Sequence, residues 1–360
     1  MSVRALFSRS LDARRTFVAD VAARAPGAVI HIHPANLPSA DIGGVYRTTY
    51  EAINKTDVWL RLNAMAGDTT TIVLECPARY PKITSPKFQY LQRLTFRCGP
   101  TYLADIVPMT QAMEYVYTTC SYLGRGILGY PHYYAWRENY QEMVDGKVLS
   151  AHDPAVIAAK LAPLARIDYP VFTPGERERR DFTVTEDERA EYAAKKAALF
   201  ADGLSPTKIV TALADTDHAQ PSRTAAVLDV LDAHRDARVY VYCNLGTYAT
   251  RLGRAIKKAG FTNATATSYA KGRETDAEVL VYAEPPIVKS YLLLDAEARS
   301  EPARSIHLVG EHRVGHYLQS KLDTEIGDID GLTRALSERQ EDLLADRRTD
   351  GRAPTDRPRV

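Results

Sequence analysis

The sequence predicts an α/β protein built on two mainly parallel sheets, and three observations predict it. Short apolar runs alternate with stretches of helical periodicity on both sides of the chain's midpoint, and strand–helix–strand order calls for a parallel sheet with crossover helices. The strongest runs, residues 239–243 (Val-Tyr-Val-Tyr-Cys) and 279–282, are apolar without alternation, as strands covered on both faces are. A length of 360 residues suits two ordinary domains, and 45% hydrophobic with 25% charged residues supplies two cores.

The first pattern opens with an apolar strand at residues 3–7 and a polar turn at 8–15. Phe17, Val18, Val21, Ala22 and Ala25 then recur at helical spacing until Pro26 and Gly27 stop the helix. Residues 28–32 form a β-branched run ending at Pro34, and Thr-Thr-Ile-Val-Leu at 70–74 reads as another buried strand. Residues 118–140, rich in Tyr and Gly, read as an irregular insertion over helices. Residues 185–201 form a charged amphipathic helix, and 218–222 a loop. Beyond it come a helix at 225–234, the strand at 239–243, a helix at 248–259 closed by Gly260, the strand at 279–282 and a last helix at 330–345. The arginine- and proline-bearing residues 347–360 read as a disordered tail.

Composition excludes several classes. A net charge of +1 is not the basic balance of a dedicated nucleic-acid binder, so any such binding requires a local patch. No apolar run reaches membrane-spanning length, and the charged first 25 residues do not read as a signal peptide. Cys76, Cys98, Cys120 and Cys243 are scattered, with no Cys-x-x-Cys pair, and read as small buried hydrophobes in a reducing compartment. No cofactor or metal-ligand set is apparent.

The turn Leu11-Asp12-Ala13-Arg14-Arg15-Thr16 stands between a strand and a helix, where a phosphate-binding loop belongs. Such a loop reads Gly-x-Gly-Lys-Thr: glycines let the backbone wrap the phosphates, the lysine neutralises them and the threonine binds magnesium. Here Asp12 and Arg14 replace the glycines, Arg15 stands for the lysine and only Thr16 matches. In order along the chain follow Val29-Ile30-His31-Ile32-His33-Pro34, Thr49-Tyr50-Glu51-Ala52-Ile53, Ile72-Val73-Leu74-Glu75-Cys76-Pro77 and Ser85-Pro86-Lys87-Phe88. Leu123-Gly124 through Tyr133, Trp136, Arg137 and Tyr140 comes next, then Glu284-Pro285-Pro286 and Asp295-Ala296-Glu297-Ala298-Arg299. This series resembles the motif order of the Swi/Snf-type branch of superfamily 2 helicases, in degenerate form and over about nine-tenths of the chain.

The resemblance implies two RecA-like lobes: an N-terminal lobe over 1–171, a helical linker region over 172–221, a C-terminal lobe over 222–346 and the tail over 347–360. It also implies that the ATPase motifs are lost. Hydrolysis needs backbone amides around the nucleotide, a carboxylate on magnesium and an arginine at the γ-phosphate. Leu74 falls at the magnesium aspartate and cannot bind a cation. Glu75 survives without a positioned metal, and Arg299 is what remains of the arginine pair. The reading is a non-catalytic, helicase-like scaffold or DNA-docking subunit of a larger assembly. Phage-encoded relatives make a viral source, with a host-cytoplasm or virion location, an expectation by analogy only. The alternatives are a divergent DNA-dependent ATPase using Arg15 and Glu75, and a structural virion component without nucleic-acid affinity.

Other candidates have plain readings beside sharper ones. Arg14 and Arg15 could bind an anion at a helix N-terminus, or be surface arginines with Arg15 pairing to Asp12 or Glu75. His31 and His33 share a strand face but lack a third metal ligand. His312 and His316 would share a helix face, but Gly315 argues against a long helix there. Tyr130, Tyr133, Trp136 and Arg137 are residue types of interface hot spots; a protein partner is expected there, with base stacking as the other use of such aromatics.

Overall fold

The computed structural model describes residues 3–8, 10–35, 44–77, 85–109, 116–124, 126–168, 177–244, 246–268, 277–286 and 304–349. The chain forms two compact units, Met1–Thr173 with Gly327–Val360, and Pro174–Ile326. Arg299 and the tail beyond residue 349 lie outside the described residues.

In the first unit the elements run β1 (Ala5–Phe7), α1 (Leu11–Arg24), β2 (Val29–His33), β3 (Tyr46–Thr49), α2 (Thr56–Met65), β4 (Thr71–Glu75), α3 (Pro86–Arg97) and β5 (Thr101–Asp105). They continue with α4 (Val116–Leu123), α5 (Tyr133–Arg137), β6 (Gln141–Val144), β7 (Lys147–Ser150), α6 (Pro154–Leu161) and β8 (Ala165–Ile167). Six strands make one parallel sheet in the order β3-β2-β4-β5-β1-β8. Every residue of β4 is buried, as expected of a strand with both faces covered. Helix α1 lays Val18 and Val21 against Val29, Val73 and Ala104. The stretch expected to be irregular holds α4 and α5, and leads into an antiparallel β6–β7 hairpin. Asp145 and Gly146 turn that hairpin at φ 48° and 78°, the positive values a two-residue turn needs.

The second unit runs β9 (Arg177–Phe182), α7 (Glu186–Ala201), α8 (Pro206–His218), α9 (Pro221–Ala233), β10 (Val239–Cys243), α10 (Gly246–Lys258), β11 (Ala264–Ser268), β12 (Val279–Tyr282) and β13 (Arg304–Gly310). Its five strands are parallel in the order β11-β10-β12-β13-β9. Helix α11 (Arg313–Thr349) follows β13; its residues from Gly327 onward group with the first unit.

Three sequence expectations are corrected here. Residues 177–182, expected in a helical linker, are a sheet strand; as an edge strand it keeps its charges at a partly exposed rim, so it carries no apolar run. The loop expected at 218–222 is a tight junction between α8 and α9, with Pro221 opening the second helix. Gly315 does not interrupt α11. A Cβ there would stand 3.3 Å from the Gly310 carbonyl oxygen, so glycine serves a close approach rather than a break. Among the described residues no helix is long and apolar enough to cross a membrane.

Candidate functional site

Parallel α/β sheets bind ligands beyond the carboxyl ends of their strands, where neighbouring connections leave in opposite directions. Each unit has such an end.

In the first unit the phosphate-loop position is not a loop. The connection from β1 to α1 spans only residues 8–10, and Leu11 to Thr16 form the opening turns of the helix. Ser10 caps it, its hydroxyl accepting from the Ala13 amide at 3.2 Å, and the Ser8 hydroxyl accepts from the Ser10 amide at 3.1 Å. Arg14 is wholly buried and donates from Nη1 to the Ser8 carbonyl at 2.6 Å, tying the helix back onto the strand end. The plainer reading of Arg14 as a surface arginine is therefore corrected. Arg15 pairs with exposed Asp12 at 3.7 Å, within one helical turn. Leu74 and Glu75 sit at the end of β4, with Leu74 in the core. Glu75, 1% exposed, faces His31 on β2, with Oε2 3.2 Å from Nε2. The tyrosine hydroxyl of Tyr50 donates to the Glu75 carbonyl at 2.9 Å. Beside them His33 meets the Pro34 carbonyl through Nδ1 at 3.0 Å. Burial lowers the His33 pKa, and His31 and Arg47 push it the same way against that hydrogen bond. The two histidines therefore have separate polar partners, with their rings 5.4 Å apart.

The second unit gathers a buried network that the sequence did not single out. Arg223 of α9 is fully buried; it pairs with Asp217 of α8 and donates through Nη1 to the carbonyls of Ala283 (2.5 Å) and Leu308 (3.3 Å). It thus joins the ends of β12 and β13 to two helices. Glu284, also fully buried, accepts from the Asn244 amide at 2.7 Å, bridging β12 to β10. Its other oxygen lies 3.5 Å from His218 Nδ1 without forming a hydrogen bond to it. Burial pushes the Glu284 carboxyl up to about 7, against the Asn244 hydrogen bond and the Arg223 charge. Burial likewise drives His218 down to about 3, with Arg223 acting in the same direction. Near neutral pH His218 is uncharged and Glu284 is close to its midpoint. Gln220 meets His312 Nε2 at 2.9 Å, and the His312 ring stacks on Tyr192 at 3.8 Å. A Cβ at Gly310 would stand 3.1 Å from the Phe182 ring and 3.2 Å from an Asp217 oxygen, tighter than ordinary contact. His316 instead accepts from Arg179 Nη2 at 2.7 Å; although it lies on one helix just past His312, the two do not converge.

The tyrosine-rich segment divides into platform and surface. Trp136 is wholly buried and Tyr130 nearly so, with Tyr130 hydrogen-bonded to Glu142 at 2.7 Å. Trp136 packs against Tyr117, Tyr130 and His152. As an exposed contact Trp136 is corrected; its ring belongs to the core. Tyr133 is half-buried and Arg137 exposed, and the open aromatic surface is Tyr134 and Tyr140. Met143 and Val148, cross-strand neighbours on the β6–β7 hairpin, are exposed too.

No family model matches this chain, and no curated protein sequence does. Among solved structures it is similar to the Sulfolobus solfataricus SWI2/SNF2 ATPase core in complex with dsDNA, at 10% identity and a TM-score of 0.39, over 96% of this chain and 92% of that one. The SWI2/SNF2 ATPase core domain of the same organism matches at 10% identity and a TM-score of 0.30, over 96% and 83%. Its C-terminal domain matches 46% of this chain and 97% of its own length, at 11% identity and a TM-score of 0.30.

Proposed function

We propose that this chain is a non-catalytic, helicase-like protein that acts as a scaffold or DNA-docking subunit in a larger assembly. One observation carries the reading: the buried Arg14 guanidinium bonded to the Ser8 carbonyl. A three-residue connection whose serines bond to one another offers no glycine-rich wrap of amides for a triphosphate. Leu74 supplies no oxygen to magnesium, and Glu75 is turned onto His31 rather than toward an attacking water. A protein that orders two sheets without this machinery retains surface as its working part. The exposed aromatic and cationic patch of Tyr134, Arg137 and Tyr140 suits a macromolecular partner.

The deciding experiment titrates Mg-ATP with and without duplex DNA, following nucleotide binding and phosphate release. The expected outcome is neither. Phosphate release that disappears in Arg15→Ala would overturn the reading in favour of a divergent ATPase. DNA binding that weakens steeply with salt would identify the docking role; salt-independent recovery of a protein partner would identify the scaffold.

A further inference from the structure

The edge of the first sheet opposite its carboxyl ends holds a cavity of about 370 Å³. It opens where strands begin and α1 ends. Its apolar wall is Phe17 and Val21 from α1 and Tyr102 from β5, with Phe17 and Tyr102 meeting edge to face at 6.3 Å. Pro26 and Pro100 stiffen two of the turns that border it.

One polar feature distinguishes it from a packing gap; Thr71, at the start of β4, also lines it but is 1% exposed, with its hydroxyl closed off from the cavity space. At the rim stands exposed Arg166 of β8, which has no ion-pair partner among the described residues. The rim's other cation, Arg24, is already engaged by Asp20 at 3.6 Å. An apolar pocket with one uncommitted guanidinium at its mouth is complementary to an apolar group carrying a carboxylate a few ångströms away. Guanidinium matches carboxylate in two-point geometry.

We propose that this cavity binds the C-terminal residue of a partner polypeptide, an apolar side chain seated against Phe17, Val21 and Tyr102 with its terminal carboxylate on Arg166. A terminal apolar residue carries both groups on one Cα, which fits a pocket this small with its cation at the rim; the volume is at the low end for ligand sites and holds one large side chain rather than an extended ligand. This site is separate from the Tyr134 surface, and its failure would leave the scaffold reading standing.

The test uses the full chain and fluorescein-labelled Gly-Gly-Leu-Phe, as the free acid and as the C-terminal amide, read by anisotropy. The acid is expected to bind, with the amide about tenfold weaker, the effect of one charge-assisted hydrogen-bonded pair. Arg166→Gln, an exposed change that leaves the core intact, abolishes the difference between acid and amide. Three results would overturn the proposal: no binding of the acid up to about 1 mM, equal binding of acid and amide, or an unchanged preference in Arg166→Gln. A probe with an internal Phe-Asp pair and a blocked end that binds as well as the acid would overturn the assignment to a chain terminus.

Discussion

The carboxyl ends of the two sheets are built from the same backbone geometry and hold opposite chemistry. In the first unit one arginine is folded inward onto a backbone carbonyl, and one histidine–glutamate contact closes the neighbouring strands. In the second unit a buried ion pair, a buried glutamate and a buried histidine meet within one network that reaches three strands and two helices. At the first end the contacts described are separate pairs; at the second they converge on one guanidinium that ties two strands to two helices. Low dielectric makes the second arrangement sensitive to the loss of any member, because each charge is compensated only by the others.

The largest expected effect follows from that dependence. Arg223→Met leaves the Asp217 carboxylate buried without its cation and the Ala283 and Leu308 carbonyls without their donor. Denaturant unfolding should show a loss of about 3–5 kcal/mol. A double variant, Arg223→Met with Asp217→Asn, should recover part of it. If the single variant loses less than the first-unit variant Arg14→Met, the contrast between the two ends is wrong.

Next in size is the pH response of the second end. The folded carboxyl of Glu284, at about 7, lies above its ordinary value of 4.5. The folded state therefore holds a proton that the unfolded state releases, and this group's contribution to stability falls as pH rises from about 4.5 through 7. His218 and His307 are driven by burial to about 3, below 6.5. For them the unfolded state binds the proton first, and stability is lost as pH falls from 6.5 toward 3. Between about 4.5 and 6.5 the buried histidines, His33 and His312 with them, oppose the glutamate, each fully shifted group contributing up to roughly 1.4 kcal/mol per pH unit. Glu284→Gln removes the opposing term, so the acid limb steepens by up to roughly 1.4 kcal/mol per pH unit, and at pH 8 the variant gains stability on the order of 3 kcal/mol. Unfolding midpoints from pH 4.5 to 8 measure both; an unchanged acid slope would remove Glu284 from the network.

The same contrast explains what was legible in the sequence. The runs that became β2, β4, β10 and β12 announce themselves because strands buried on both faces need apolar residues at nearly every position. β9, Arg-Glu-Arg-Arg-Asp-Phe, did not, since an edge strand tolerates charge. The hairpin β6–β7 carried a readable signal, Asp145-Gly146, that the aromatic density around it obscured. Gly315 concealed the full extent of α11, of which only residues 330–345 were read as helix. The turn from β1 into α1 was legible as a place, but the burial of Arg14 was not, because arginine is ordinarily exposed. The Arg223 network was not legible at all: Asp217, Asn244 and Glu284 are brought together only by the crossovers of the sheet.

A smaller effect is expected at the first end. Arg14→Met preserves much of the side-chain length and removes the donor to the Ser8 carbonyl, a loss of about 1–3 kcal/mol by denaturant unfolding. It should not create nucleotide binding, because the three-residue connection stays short. Mg-ATP affinity appearing in this variant would show that the arginine alone blocks an otherwise competent site.

The smallest change belongs to Glu75, where the two accounts of the molecule part most cleanly. Its carboxyl is buried and bonded to His31, and the Tyr50 hydroxyl bond goes to its backbone carbonyl, which substitution does not touch. Glu75→Gln keeps the side-chain length and an oxygen that can accept from His31 Nε2. Its second terminal position changes from oxygen to an amide, where Oε1 has no hydrogen-bond partner now. One hydrogen bond is retained and no ion is left uncompensated, so stability should move by no more than about 1 kcal/mol. A residual catalytic base would behave differently. The same substitution would then leave folding nearly intact while lowering phosphate release by roughly two to four orders of magnitude, the usual contribution of a positioned base. Measuring both quantities on one preparation separates the accounts: a small stability shift with no turnover in either protein is expected, and a selective loss of turnover would restore Glu75 as part of a working site.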